Sequence, residues 1–208
     1  MERMTLLRPP TDEEARAVVA EVYSDCKILL VDKNHNQVEQ AVAWVLGKLR
    51  EAGLDVPTAD GFLRTYATTL PSLDPAYVAV VGWPGDPAGI GAGDLFRCVH
   101  EAEHAWGQID VDGPLGFCIA YLGSASCRGR YEAHAVGAAD ELRLEMGYEL
   151  ESPATHAERF RCYNLDDARV AMMAGMLASI QATLRQDVSC YQIARKFTAA
   201  LASRGILA

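Results

Sequence analysis

CVHEAEHAWGQ, residues 98–108, places His100 and His104 four positions apart, with Glu101 directly after the first. On an α-helix, positions i and i+4 project from one face about one turn apart, so both imidazoles can offer a ring nitrogen to one ion at ~2.0–2.1 Å. Glu101 is rotated by about 100° from His100, too far round to be a third ligand of the same ion, yet near enough to reach a water bound on it. In that arrangement Glu101 is a general base. A pattern with three fixed positions also turns up by chance, and its competitor is the polar face of an ordinary helix. Leu95, Cys98, Val99, Ala102, Trp106 and Ile109 form the apolar stripe of a helix predicted over 95–109, and the histidines point away from it. A third ligand has to decide between the two readings.

The best third ligand lies in RGRYEAHAVGAADELRLEM, residues 128–146. Ala135, Val136, Ala139, Leu142 and Met146 make the apolar stripe of this second helix, and Glu132 falls inside it. A carboxylate turned toward a core needs a strong partner, either a divalent metal or a cation from elsewhere in the chain. Arg143 is three turns along the same side, too far to serve within the helix. Between His104 and Glu132 lie residues 105–131, enough for a loop, a short helix and the start of a second long helix. Ala133, Ala135, Gly137, Ala138 and Ala139 allow that helix to approach the first closely. Two His, one Glu and a water make the open three-ligand arrangement of a hydrolytic zinc site.

Working outward, the patterning is mainly helical, and the predicted fold class is α+β. TDEEARAVVAEVYSD (11–25) opens with a Thr cap and an acidic first turn. HNQVEQAVAWVLGKLREAG (35–53) sets Val38, Val42, Val45, Leu46 and Leu49 on one stripe before stopping at Gly53. KILLVD (27–32) suits a buried strand. FLRTYATTL (62–70) and AYVAVVGW (76–83) are rich in β-branched and aromatic residues and read as a hairpin across PSLDP, although the first also suits a short helix. WPGDPAGIGAGD (83–94) is a Gly/Pro loop with Asp94 as a helix cap, and lacks the Lys-Ser/Thr of a phosphate cradle. Helices are predicted at 116–123, 128–147, 154–162, 166–186 and 189–204. With no repeat, low-complexity run or linker, residues 1–208 read as a single domain with a helical part at 150–208.

The 208 residues carry 19 basic against 28 acidic groups, a net charge of -9, with 50% hydrophobic residues. A negative field at long range disfavours phosphate and anionic lipid, so neither nucleic acid nor membrane is an expected partner. The start, MERMTLLRPPTDEEA, lacks the apolar core of a signal peptide, and the apolar run at 170–180 is too short to span a bilayer; a soluble, cytoplasmic protein is expected. Cys26, Cys98, Cys118, Cys127, Cys162 and Cys190 form no CxxC pair, which fits reduced, mostly buried thiols. His134 is expected on the solvent side of its helix, His35 and His156 at helix starts or loops, and the methionines of AMMAGM (171–176) in a core. Tyr121, Tyr131 and Tyr148 are rim residues and possible oxyanion donors.

HEAEHAWGQ, with Gln108 following the second His, and CRGRYEAHA preceding the second long helix resemble the gluzincin branch of the HExxH zincin metallopeptidases, in particular small peptidases of phages and bacteria. RTYATTL occupies the place of the strands that precede the HExxH helix in that pattern. The resemblance covers roughly residues 60–147 and does not extend to 1–55 or 150–208. It implies a zincin-like fold and a zinc ion bound by His100, His104 and Glu132, with Glu101 polarising the attacking water. A peptide or protein would be the substrate, held by strand addition to AYVAVVG or RTYATTL. HEAEHAWGQID also fits the metzincin form, in which Gly107 turns the chain, Asp110 becomes the third ligand and Met146 belongs to a Met-turn. The non-enzymatic alternative is a structural or virion-associated protein that keeps a zincin-like metal site and has an assembly partner. The third is a binding domain without metal, in which the three side chains do not converge.

Overall fold

The computed structural model describes residues 4–33, 35–54, 56, 67–163 and 165–208, without the side chains of 162 and 163. Helix α1 (Asp12–Asp25) is closed at its start by the predicted Thr11, whose hydroxyl accepts from the Glu14 N–H while the Glu14 carboxylate accepts from the Thr11 N–H. Its apolar side, Ala15, Val18, Val19, Val22 and Tyr23, is buried. Strand β1 (Ile28–Asp32) follows and helix α2 (Gln37–Glu51) returns the chain, ending at Gly53 with φ +84°.

Strands β2 (Thr68–Pro71) and β3 (Ala79–Trp83) form the predicted hairpin, with Thr69 opposite Val81. Residues 62–66 of the predicted first strand lie outside the described residues. The turn is locked by Ser72 Oγ accepting from Asp74 N and Asp74 Oδ1 accepting from Ala76 N. β1 joins on the other side of β3, parallel to it, so the order is β1-β3-β2. β3 is therefore internal, which fits its almost complete burial.

Two 3₁₀ turns in the Gly/Pro loop lead to α3 (Leu95–Ala102). Asp94 does not cap it: its carboxylate accepts from Gly91 N at 3.1 Å and meets Arg97 at 3.3 Å. The helix continues as a π-helical stretch, Glu103–Ile109, and a final turn, Asp110–Asp112, three residues beyond the predicted end. Then come α4 (Pro114–Gly123) and α5 (Ala125–Glu145), followed by α6 (Pro153–Arg159), α7 (Asp167–Leu184) and α8 (Gln192–Ala202). The fold is α+β and mainly helical. One apolar cluster joins the sheet to α1, α3 and α8; a smaller one lies among α5, α6 and α7, where Met173 is buried. Among the described residues no helix is long and apolar enough to cross a membrane. Cys26, Cys98, Cys118, Cys127 and Cys190 are free thiols.

The main departure from the predicted packing is α2. Its buried positions are Glu39, Ala43 and Leu46, whereas Val38 and Val45 are each 44% exposed. The apolar stripe does not sit wholly on the core; Val38, Val42 and Leu46 instead form one wall of a cavity.

Candidate metal centre

α5 packs against both α3 and α4, and this contact determines where the polar face of the HEAEH helix lies. The small residues Ala133, Ala135, Ala138 and Ala139 are buried along α5 and let the helices approach closely. The histidines are consequently not on a wetted face. His104 is 5% exposed and Glu101 6%, while the Glu132 side chain is 1% and the His100 side chain 16% exposed. The reading of HEAEH as an ordinary surface face does not fit these values.

One ligand atom from each of His100, His104 and Glu132 lies within 4.8 Å of the other two. His104 Nε2 is 3.2 Å from His100 Nε2; Glu132 Oε2 is 3.3 Å from His100 Nε2 and 3.6 Å from His104 Nε2. This Glu132 oxygen is buried without a hydrogen-bond partner. It lies within ion-pairing distance of both imidazoles, and a buried carboxylate oxygen facing two ring nitrogens makes the donor set of a divalent ion such as zinc. The residues therefore fit the metal.

Two of the three side chains, His104 and Glu132, are also oriented from behind. His104 Nδ1 lies 2.8 Å from Gln108 Oε1, and Gln108 Nε2 donates to the Tyr131 carbonyl at 2.9 Å. With Gln108 accepting at Nδ1, Nε2 of a neutral His104 is left as the ligating nitrogen. Tyr121 Oη donates to Glu132 Oε1 at 2.5 Å and so fixes the other carboxylate oxygen. Arg128, fully buried on α5, donates to the carbonyls of Tyr121 and Leu122 near the end of α4, where the helix leaves carbonyls without intrahelical partners. This docks the helix that carries Tyr121. The π-helical stretch contains both His104 and Gln108; such insertions change which side chains share a face and recur at functional sites.

In the metal-free protein, burial pushes the His104 imidazole down, but the Glu132 carboxylate beside it prevails and raises it to about 9. Burial likewise opposes ionisation of Glu132, and the two histidines hold its carboxyl well below the usual carboxylate range. The pair is a buried imidazolium beside a carboxylate, each favouring the charged form of the other.

Glu101 lies beside this group rather than in it. Thr69 Oγ1 on β2 donates to Glu101 Oε2 at 2.6 Å and leaves Oε1 without that constraint. Behind Thr69, Thr68 Oγ1 donates to Glu39 Oε2 at 2.9 Å. Burial pushes the Glu39 carboxyl up to about 7 and the Lys33 ammonium down, so a layer of buried polar groups backs the strand. Thr69, Glu39 and Lys33 went unassigned in the sequence. A threonine on a strand is unremarkable, and Glu39 lies outside the apolar stripe that the sequence draws on α2, so its burial has no signal of the kind Glu132 carries.

The remaining predicted residues separate cleanly. Asp110 is exposed on the last turn of the HEAEH helix, outside the group formed by the two histidines and Glu132. The helix does not turn at Gly107, where the Glu103 carboxylate packs against the bare Cα, and Met146 ends α5 as its C-cap. Tyr131 donates to Asp112 at 2.6 Å and Tyr148 packs edge-on to Phe96, so neither is an oxyanion donor here; Tyr121 is committed to Glu132. His134 is half-buried rather than on the solvent side, 3.1 Å from Tyr191 Oη. His35 is exposed beside Asp32. His156 lies in the first turn of α6, one of the two predicted settings, and is 5% exposed between Asp140 and Glu151.

A cavity of about 550 Å³ opens over the group. Glu101, His104 and Glu132 lie at its base, with α2 and β2 on one side and α4 on the other. Comparison with known proteins finds no family model, curated protein or solved structure that this chain matches.

Proposed function

We propose that the protein is a zinc-dependent metallopeptidase of the gluzincin kind, with His100, His104 and Glu132 as ligands and Glu101 as general base. The observation that carries this reading is the convergence of the three ligand atoms within 4.8 Å, one of them an orphaned carboxylate oxygen, beside Glu101 at the base of an open cavity. A zinc ion held there supplies Lewis acidity, polarising a water and the peptide carbonyl.

The chain supplies the proton handling and the positioning. Glu101 Oε2 is held by Thr69, so Oε1 is the atom that accepts the proton from the attacking water and passes it to the departing amine. Gln108 and Tyr121 keep His104 and Glu132 in their orientations through the cycle. Among the described residues β1 and β2 are the edge strands of the sheet, and β2 is the one that lines the cavity, so an extended peptide would add along β2.

The test is metal content by mass spectrometry on wild type and His104→Ala, followed by peptide hydrolysis with Glu101→Gln as control. About one zinc per chain, absent in His104→Ala, is expected. Glu101→Gln should keep the zinc and lose ~10²–10⁴-fold in hydrolysis. A wild-type protein that takes up no zinc, or a Glu101→Gln protein that hydrolyses peptides as fast as wild type, overturns the proposal.

A further inference from the structure

Apart from the candidate centre, the described lining of the cavity is largely apolar and comes from two helices and from β2. On α2 the apolar residues include Val38 and Val42; on α4 they include Leu115, Cys118 and Leu122, of which Leu115 is 73% exposed. Among the described lining residues the charged side chains are Glu101 and Glu132, which with His104 belong to the centre itself. Among the described lining residues a lysine or arginine side chain on the bound molecule finds no counter-ion outside the centre, and an acidic one finds no cation from lysine or arginine. Removing a large apolar side chain from water between the walls is favourable in proportion to the area covered, and the volume is of the size that encloses a small-molecule-sized group.

We infer that the cleft between α2 and α4 selects a bulky apolar side chain, such as Phe or Leu, carried by an extended peptide beside the bond to be cut. A peptide rather than a free acyl chain is indicated by β2, which among the described residues has a strand partner on one side only and lines the same cavity. It offers main-chain groups that an acyl chain cannot use. The inference rests on the peptidase reading for the fate of the bound segment, whereas the apolar selection is a property of the walls.

The two are separated by measuring binding in the absence of turnover. Pentapeptides of the form acetyl-Gly-Gly-X-Gly-Gly-amide, with X as Phe, Leu, Ala, Glu or Lys, are titrated into the full chain stripped of metal, and binding is followed by calorimetry. Peptides with Phe or Leu should bind ~10-fold or more tightly than those with Ala, Glu or Lys. Leu115→Asp, at an exposed position, should remove that preference; Val42→Asp on the facing wall is the second variant. Equal affinity for all five peptides, no binding of any of them, or dodecanoate binding more tightly than the Phe peptide each overturns the inference. Selective binding of Phe without hydrolysis by the zinc-loaded protein leaves the inference standing and overturns the peptidase. Hydrolysis of all five at one rate, with equal affinities, does the reverse.

Discussion

Helix α5 buries carboxylates at both ends, and the two ends treat them differently. Near its C-terminus, Glu141 accepts from Ser189 Oγ, from Cys190 N at 2.8 Å and from Tyr191 N at 2.9 Å, tying α5 to the start of α8. Its neighbour Asp140, fully buried, accepts from Arg143 at 2.9 Å and from Gln181 at 2.8 Å, with His156 at 3.6 Å. Near the N-terminus, Glu132 has one oxygen satisfied by Tyr121 and the other facing two imidazoles without a hydrogen bond. Burial alone does not distinguish a site from a strut. A carboxylate whose lone pairs are all used holds elements together; one that keeps an oriented, unused oxygen beside other ligands is equipped to bind something.

Neutralising each acid breaks this comparison most directly. Glu132→Gln should drop bound zinc from about one per chain toward none, because an amide is a poor substitute for a carboxylate ligand. Glu141→Gln should leave zinc binding intact and lower unfolding stability by ~1–3 kcal/mol, the cost of weakening charge-assisted hydrogen bonds in a buried place. Zinc content and urea unfolding on both variants decide it. If Glu141→Gln lost zinc, or Glu132→Gln retained it, the two ends of the helix would not have separate roles.

A smaller effect is expected from the groups that orient the ligands. Tyr121→Phe removes the hydrogen bond to Glu132 Oε1 while keeping the ring that stacks on Phe117. Zinc affinity should fall ~10–100-fold without loss of stoichiometry at saturation. Competition with a chromophoric chelator measures the change. An unaltered affinity would mean that Glu132 is held by packing alone.

Both ligand-bearing helices were legible in sequence, because a helix period exposes an anomaly: Glu132 stands within an otherwise apolar stripe, and His100 and His104 share a face. The same periodicity misjudged α2. It reports which side of a helix avoids water and says nothing about what covers that side, and here Val38 and Val42 line a cavity. The π-helical stretch has no local signature in the sequence. Thr69 and the partner of His156 are not legible for a related reason: the contacts to Glu101 and Asp140 are made between residues distant in the chain.

The smallest effect concerns protons, and it probes why Glu132 tolerates burial without metal. His104 in the metal-free protein is raised to about 9 and therefore carries a proton at pH 7. A histidine ligates as the neutral imidazole, so zinc binding at pH 7 must displace about one proton from His104, and this release should fade as pH rises through about 9. The sign for stability follows from the same shift. A histidine whose folded value exceeds its unfolded ~6.5 adds stability that is fully present below ~6.5 and is lost as pH rises through the folded value. Metal-free protein should therefore become less stable from pH ~6.5 to about 9, whereas His104 in zinc-loaded protein is already neutral and contributes no such trend. Calorimetry in buffers of different ionisation enthalpy counts the protons, and thermal unfolding with and without chelator across that range follows the stability. Zinc uptake at pH 7 with no proton released would mean that Glu132 faces neutral imidazoles, and its burial would then need a cation from another part of the fold.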